Sequence, residues 1–171
     1  GNNSICRGSS TTLTASSGTA YLWNTGATTQ NITVSPTSNT TYTVTITNGT
    51  CSQNASITVS VQNAPTASFT ASPNPVCLGQ AVTFGNNSST GCFFPALFYT
   101  WNFGDGGFDV SQSPSYTYTD TGTYTVTLNV IDGFCGCNNV MTQTVNVISC
   151  SPCSLTVATA NVNPLCNGSC T

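Results

Sequence analysis

In 171 residues this chain carries one cation and four anions, Arg7 against Asp105, Asp109, Asp120 and Asp132, and has no lysine, glutamate or histidine. A single cation leaves a nucleic-acid backbone or an anionic membrane surface almost nothing to bind, and no apolar stretch nears the roughly 20 residues of a membrane-spanning helix. Ten cysteines without a histidine point to structural disulfides in an oxidising compartment, because zinc would have to be held by thiolates alone.

The chain opens on Gly1-Asn2-Asn3-Ser4, neither an initiator methionine nor a signal peptide, and so reads as a mature or excised piece. Ile5-Cys6-Arg7-Gly8 then starts a pattern that returns as Val76-Cys77-Leu78-Gly79 and as Leu165-Cys166-Asn167-Gly168. Three units begin alike, the mark of a modular array. Within the first, strands are expected over 19–23, over the alternation Tyr42, Val44 and Ile46, and over 56–61. A polar stretch with a proline, Gln62-Asn63-Ala64-Pro65, ends that unit. In the second, strands are expected over 67–71, 81–84, 99–103, Tyr124 to Val130 and 141–147. The segments 51–61 and 137–147 align without a gap, each led by a cysteine. A further boundary falls at 149–152.

Short alternating strands with no competing helical period imply an all-β chain of tandem immunoglobulin-like sandwiches. The division is 1–63, 64–148, and a disulfide-rich linker with the start of a third repeat over 149–171. Each full unit keeps the order cysteine, tryptophan, tyrosine, cysteine: Cys6, Trp23, Tyr42 and Cys51, then Cys77, Trp101, Tyr124 and Cys137. Both tyrosines stand where a tyrosine corner belongs. An oxidised first unit has only Cys6 and Cys51 to join. The alignment then assigns Cys77 to Cys137 and leaves Cys92 for Cys135, since residues 135 and 137 are too close in an extended strand to be good partners. Cys150 and Cys153 form a CxxC that reads as a linker staple, with no βαβ pattern around it to favour redox chemistry. The pairing of Cys150, Cys153, Cys166 and Cys170 is left open.

At Trp101-Asn102-Phe103-Gly104-Asp105-Gly106 the second unit resembles the polycystic kidney disease (PKD) domain, whose usual signature is W-x-F-G-D-G. Ser113-Pro114-Ser115-Tyr116-Thr117-Tyr118 and Gly122-Thr123-Tyr124-Thr125-Val126 match that family's following strands, and the resemblance covers 65–148. It departs at Asn102, where aspartate is common, and in the insertion 91–98. The first unit is similar to Ig-like repeats of secreted Bacteroidota surface proteins, through TAYLWNTGATTQNITVSPTSNTTYTVT. The tail is similar to the opening of an SprB-type gliding-adhesin repeat. Together these resemblances imply a segment of a long, exported surface or filament-forming adhesin that uses type IX-type secretion.

Asp105 and Asp109 are paired carboxylates, a residue type used in glycoside hydrolysis, but no histidine or further acid lies near them and the pair reads as turn-fixing and solvated. The same two carboxylates with backbone carbonyls offer a weak calcium site, with Asp132 an unplaced third ligand. Tyr21 with Trp23, and Tyr99 with Trp101, each share one face of a strand and are expected in the core, not on a sugar-stacking surface. Phe93, Phe94 and Phe98, in a cysteine-tethered insertion, form a candidate interaction patch. Asn-x-Ser/Thr sequons at Asn2, Asn31, Asn39, Asn48, Asn54, Asn86, Asn87 and Asn167 carry no weight in so Asn- and Thr-rich a chain.

The function read from the sequence is a non-enzymatic structural or adhesive segment outside the cell, with no cofactor. Its partners are other copies or neighbouring repeats and, alternatively, surface polysaccharide, as in an accessory module of a secreted hydrolase. The tail 154–165 has the pattern of an entry strand without a unit to follow, and the first unit lacks such a strand. Head-to-tail strand addition follows as an expectation.

Overall fold

Alternating threonine and large apolar residues set the strands, because β-branched side chains fit a pleated surface with one face buried. A computed structural model describes residues 3–92 and 96–150, and the described residues form strands and turns without a helix. They sort into two groups, each around its own cluster of buried side chains.

The first group holds β1 (Ser4–Cys6), β2 (Thr11–Thr14), β3 (Ala20–Trp23), β4 (Asn31–Val34), β5 (Thr40–Asn48) and β6 (Cys51–Gln62). One sheet runs β1-β6-β5-β3, and it faces a two-stranded sheet of β2 and β4. Leu13, Trp23, Ile32, Val34, Tyr42, Val44 and Val59 fill the space between them. On the outer face, hydroxyls take the place of charges: Thr41 meets Thr58 at 2.8 Å and Thr45 donates to Asn54 Oδ1 at 2.8 Å. Such cross-strand pairs are the local unit of sheet stability.

The second group holds β7 (Phe69–Ser72), β8 (Val76–Cys77), β9 (Ala81–Asn86), β10 (Leu97–Asn102), β11 (Phe108–Asp109), β12 (Ser115–Thr117), β13 (Gly122–Asp132) and β14 (Asn138–Ile148). Its sheets run β11-β10-β13-β14-β8 and β12-β9-β7. The core is Phe69, Val82, Phe84, Trp101, Phe103, Tyr118, Val126, Leu128, Val130 and Val145.

The groups repeat one plan. In each, a two- or three-residue strand with the opening cysteine lies parallel to the end of the last strand: Cys6 stands opposite Gln62, and Cys77 opposite Ile148. The glycine two positions on takes a positive φ both times, 89° at Gly8 and 82° at Gly79. Strand β2 matches β9 and β4 matches β12.

Two expectations about the tyrosines divide here. Tyr124 is a tyrosine corner, its hydroxyl donating to the Asp120 carbonyl at 2.9 Å. Tyr42 is not its counterpart. Thr40 opposes Val59 while Tyr124 opposes Val145, so Tyr42 sits two residues further along its strand, with its ring in the core.

Candidate functional site

Three places carry side chains beyond what a sandwich needs: the turn after β10, the hairpin of β13 and β14, and the open side of the first group.

The turn is built from local acceptors. Asn102 Oδ1 accepts the Gly104 amide at 2.8 Å, and Asp105 Oδ1 accepts the Gly107 amide at 2.9 Å. Asparagine at position 102 thus makes the Asx-type contact that aspartate would make. Gly104 and Gly106 have φ of 89° and 98°, and a Cβ on Gly104 would lie 2.7 Å from the Thr125 carbonyl oxygen. The Tyr116 hydroxyl donates to both oxygens of Asp105, at 2.9 and 3.1 Å, and its ring stacks on Phe103 at 3.9 Å. Burial, then the hydrogen bond to Asp105 and that carboxylate's charge, raise the Tyr116 phenol above its usual range. Asp109 Oδ1 takes the amide and the hydroxyl of Ser111, both at 2.6 Å, and these bonds hold its carboxyl below the usual range. Each carboxylate therefore serves its own turn.

Asp132 does not join them. Along β10 it opposes Leu97 whereas Asp109 opposes Trp101, a separation of about 13 Å at roughly 3.3 Å per residue. It is the one charged side chain buried among the described residues. Thr90 donates to its Oδ2 at 2.6 Å, and the amides of Phe134 and Cys135 donate to its Oδ1 at 3.0 and 3.4 Å. Burial opposes its ionisation, but these donors outweigh burial and hold the carboxyl below the usual range. Cys92, Asp132 and Cys135 lie close enough to be metal ligands. The two sulfurs are instead bonded to each other, so what Asp132 does is brace the hairpin.

The disulfides correct two expected pairings and keep one. Cys92 joins Cys135 as expected. Cys6 joins Cys137 across the two groups, with Cα atoms 5.6 Å apart, and not Cys51. Cys77 joins Cys150 and not Cys137, which gives Cys150, whose pairing the sequence leaves open, a partner outside the CxxC. The reason is distance. Cys6 lies beside the last residue of β6 and Cys51 is its first, about 36 Å away at roughly 3.3 Å per residue, against the roughly 7 Å limit between bridged Cα atoms. Cys77 and Cys137 stand at opposite ends of β14 in the same way. Cys51 is left with an exposed thiol. The sequence repeat marked the equivalent cysteines but not that the bond runs to the neighbouring group.

Trp23 and Trp101 are buried, and each indole N–H donates to a loop carbonyl, Thr29 at 2.9 Å and Ser111 at 3.0 Å. Trp101 has no exposed surface and Trp23 keeps 4%, where it borders the cleft described below. Phe98 is 64% exposed. Phe93 and Phe94, with Cys153, Cys166 and Cys170, lie outside the described residues.

The open side is a difference between the groups. In the second, β7 pairs with β9 along Phe69 to Asn86 and Ser72 to Thr83, and the Phe69 ring meets Trp101 edge-on at 5.1 Å. In the first, β2 pairs with β4 on one side, and among the described residues no strand lies on the other. A cleft of about 190 Å³ opens there, lined by Leu13, Ala15, Trp23, Tyr42, Val44 and Ile57. It shares Ser16 and Ala55 with a wider groove of about 470 Å³ that reaches Asn48 and Cys51.

The family model of the PKD domain matches residues 62–148. The chain belongs to the PKD domain family. The signature turn described above lies inside the matched residues. Among solved structures, the PKD1 domain of Vibrio anguillarum Epp is 34% identical, with 52% of this chain and 98% of that one covered and a TM-score of 0.44. A chain studied for the promiscuous specificity of carbohydrate-binding modules of the β-sandwich superfamily is 36% identical over 50% of this chain, with a TM-score of 0.47. The N-terminal eight Ig domains of Down Syndrome Cell Adhesion Molecule are 15% identical over 84% of this chain, with a TM-score of 0.56, a likeness of fold. The chain spans 35% of the length of the carbohydrate-binding neighbour and 23% of that of the adhesion molecule.

Proposed function

We propose that this chain is a non-enzymatic structural segment of an extracellular repeat protein or filament, and that its copies join head to tail when residues 154–165 of one copy add as a strand to β2 of the next. One observation carries the reading: the second group closes its smaller sheet with β7, and among the described residues the first group has the same sheet without that strand, beside a cleft lined by apolar core residues. Strand addition satisfies the edge amides and covers the cleft together.

The backbone geometry supports it. The Ala15 amide donates to Gln30 on the β4 side, so by alternation the Thr12 and Thr14 amides point to the open side. Aligning Ala160 to Gly168 with Ala71 to Gly79 sets Ala158 against Ala15 and Ala160 against Leu13. The edge carries no lysine to discourage pairing. The alternative, a carbohydrate-binding accessory module, is weakened by the burial of both tryptophans. Extracellular placement rests on the PKD and immunoglobulin-like architecture with its disulfides. The surface-adhesin context, with Bacteroidota origin and type IX-type export, rests on the repeat resemblances alone.

Two changes test the joint. Deleting 154–171 and, separately, Thr14→Pro, which removes an open-side amide on an edge where proline is tolerated, should each abolish long assemblies seen by light scattering and electron microscopy. Fibres of unchanged length in both variants would reject strand addition.

A further inference from the structure

Cys51 and Cys137 are the same residue of the plan. Each is the first residue of its group's last strand, or directly precedes it: Cys51 pairs with Asn48 across a two-residue turn, and Cys137 accepts the Asp132 amide at 2.8 Å across a longer one. Val59 and Val145, eight residues on, are both fully buried. Yet Cys137 is buried and bonded to the opening cysteine of the preceding group, while Cys51 is an exposed thiol. The surroundings differ in the same sense. Beside Cys137 the connecting chain enters the second group, with Thr66 bridged to Ser89 and the Asn87 amide donating to the Ser68 carbonyl. Beside Cys51 the corresponding ledge, Ser16 and Ser17, is the open groove.

We infer that Cys51 receives the opening cysteine of the group stacked before it, which in a run of joined copies is Cys77 of the preceding copy. The inference rests on the head-to-tail reading, since that joint places the second group of one copy before the first group of the next, as the first group precedes the second within the chain. Cys77 is the counterpart of Cys6, by strand, register and the glycine that follows. It is held by Cys150, two residues beyond its register partner Ile148. At the corresponding place in the first group, two residues beyond Gln62, stands Ala64, and Cys6 reaches onward to Cys137. Cys150 therefore keeps Cys77 as a disulfide until the next hairpin arrives.

The step is a thiol–disulfide exchange. The Cys51 thiolate attacks Cys77 Sγ, the Cys77–Cys150 bond breaks as the Cys51–Cys77 bond forms, and Cys150 leaves as a thiolate that takes up a proton. One disulfide is consumed and one made, so no oxidant is needed. Each joint becomes covalent, as the joint within the chain already is.

The experiment uses the full chain, purified oxidised, as a mixture of isotopically light and heavy copies at concentrations that allow assembly. Non-reducing digestion with mass mapping is run beside particle sizing. The expected result is a Cys51–Cys77 peptide pair of mixed isotope label with the Cys77–Cys150 pair lost in proportion, an SDS-resistant ladder, and loss of that ladder in Cys51→Ser with native particle size kept. Long assemblies in which Cys51 stays a free thiol, or is joined to another Cys51 or to Cys153, Cys166 or Cys170, would overturn the inference and leave strand addition standing. A Cys51–Cys77 bond in short species only would support the inference and reject strand addition. Neither assembly nor the bond would reject both.

Discussion

In the second group every residue of the buried core is between 0 and 3% exposed, and Phe69 lies across Trp101 and Phe84. In the first group, under the same plan, only Val59 is fully closed off and the other core residues keep 4 to 9% exposure. What separates them is the strand next to β2: with β7 the tryptophan is sealed, and where the described residues place no counterpart the tryptophan lines a cleft. A sandwich of this size has little core to spare, so the presence or absence of one edge strand affects closure across the whole layer and not only at the edge.

The largest effect expected from this contrast is at the two tryptophans. Trp101→Ala should destabilise the second group by about 3–5 kcal/mol, since nothing can move into the space, whereas Trp23→Ala should cost less in the isolated chain because its neighbours already border a void. Thermal denaturation of each variant, repeated with a peptide of residues 154–165, sharpens the comparison: the peptide should raise the cost of Trp23→Ala and leave Trp101→Ala unchanged. Equal costs without the peptide would break it.

The hairpins give the next effect. Asp132 braces the hairpin that carries Cys135 and Cys137, and its counterpart Asn48 is neutral. The folded carboxyl lies below the unfolded value of about 3.9, so its contribution is complete at neutral pH and is lost as pH falls below about 4 through the lowered folded value. Asp132→Asn should cost about 1–3 kcal/mol at neutral pH through an imperfectly satisfied buried group, and should flatten the acid limb of stability against pH. An unchanged acid limb would assign the acid response to another carboxylate.

The smallest effect belongs to the signature turn. Asp105→Ala removes the acceptor of the Gly107 amide and of the Tyr116 hydroxyl, at an exposed site, and should lower stability by about 1 kcal/mol in equilibrium unfolding. A variant as stable as the parent would mean that Asn102, Gly104 and Gly106 set the turn without Asp105.

Much of this was legible beforehand because it depends on local rules. Alternation placed β5 and β13, and the W-x-F-G-D-G tract placed the turn at Asp105. The two-residue offset of Tyr42 was not legible, since cysteine-to-tyrosine order carries no register. The short strands β1, β2, β4, β8 and β11 were missed for a related reason: two to four residues hold at most a single alternation, and only a partner strand defines them.

The sequence by itself determined the repeat, the all-β class, the tryptophan cores and which cysteines are equivalent, because composition, period and spacing are properties of the chain alone. The tertiary structure decided which cysteines bond, that Asp132 is buried against Thr90, and that among the described residues the sheet holding β2 has an unpaired edge. Those depend on which ends of long strands come together in space, and a strand that separates Cys6 from Cys51 by about 36 Å, at roughly 3.3 Å per residue, overrides any pairing inferred from their order.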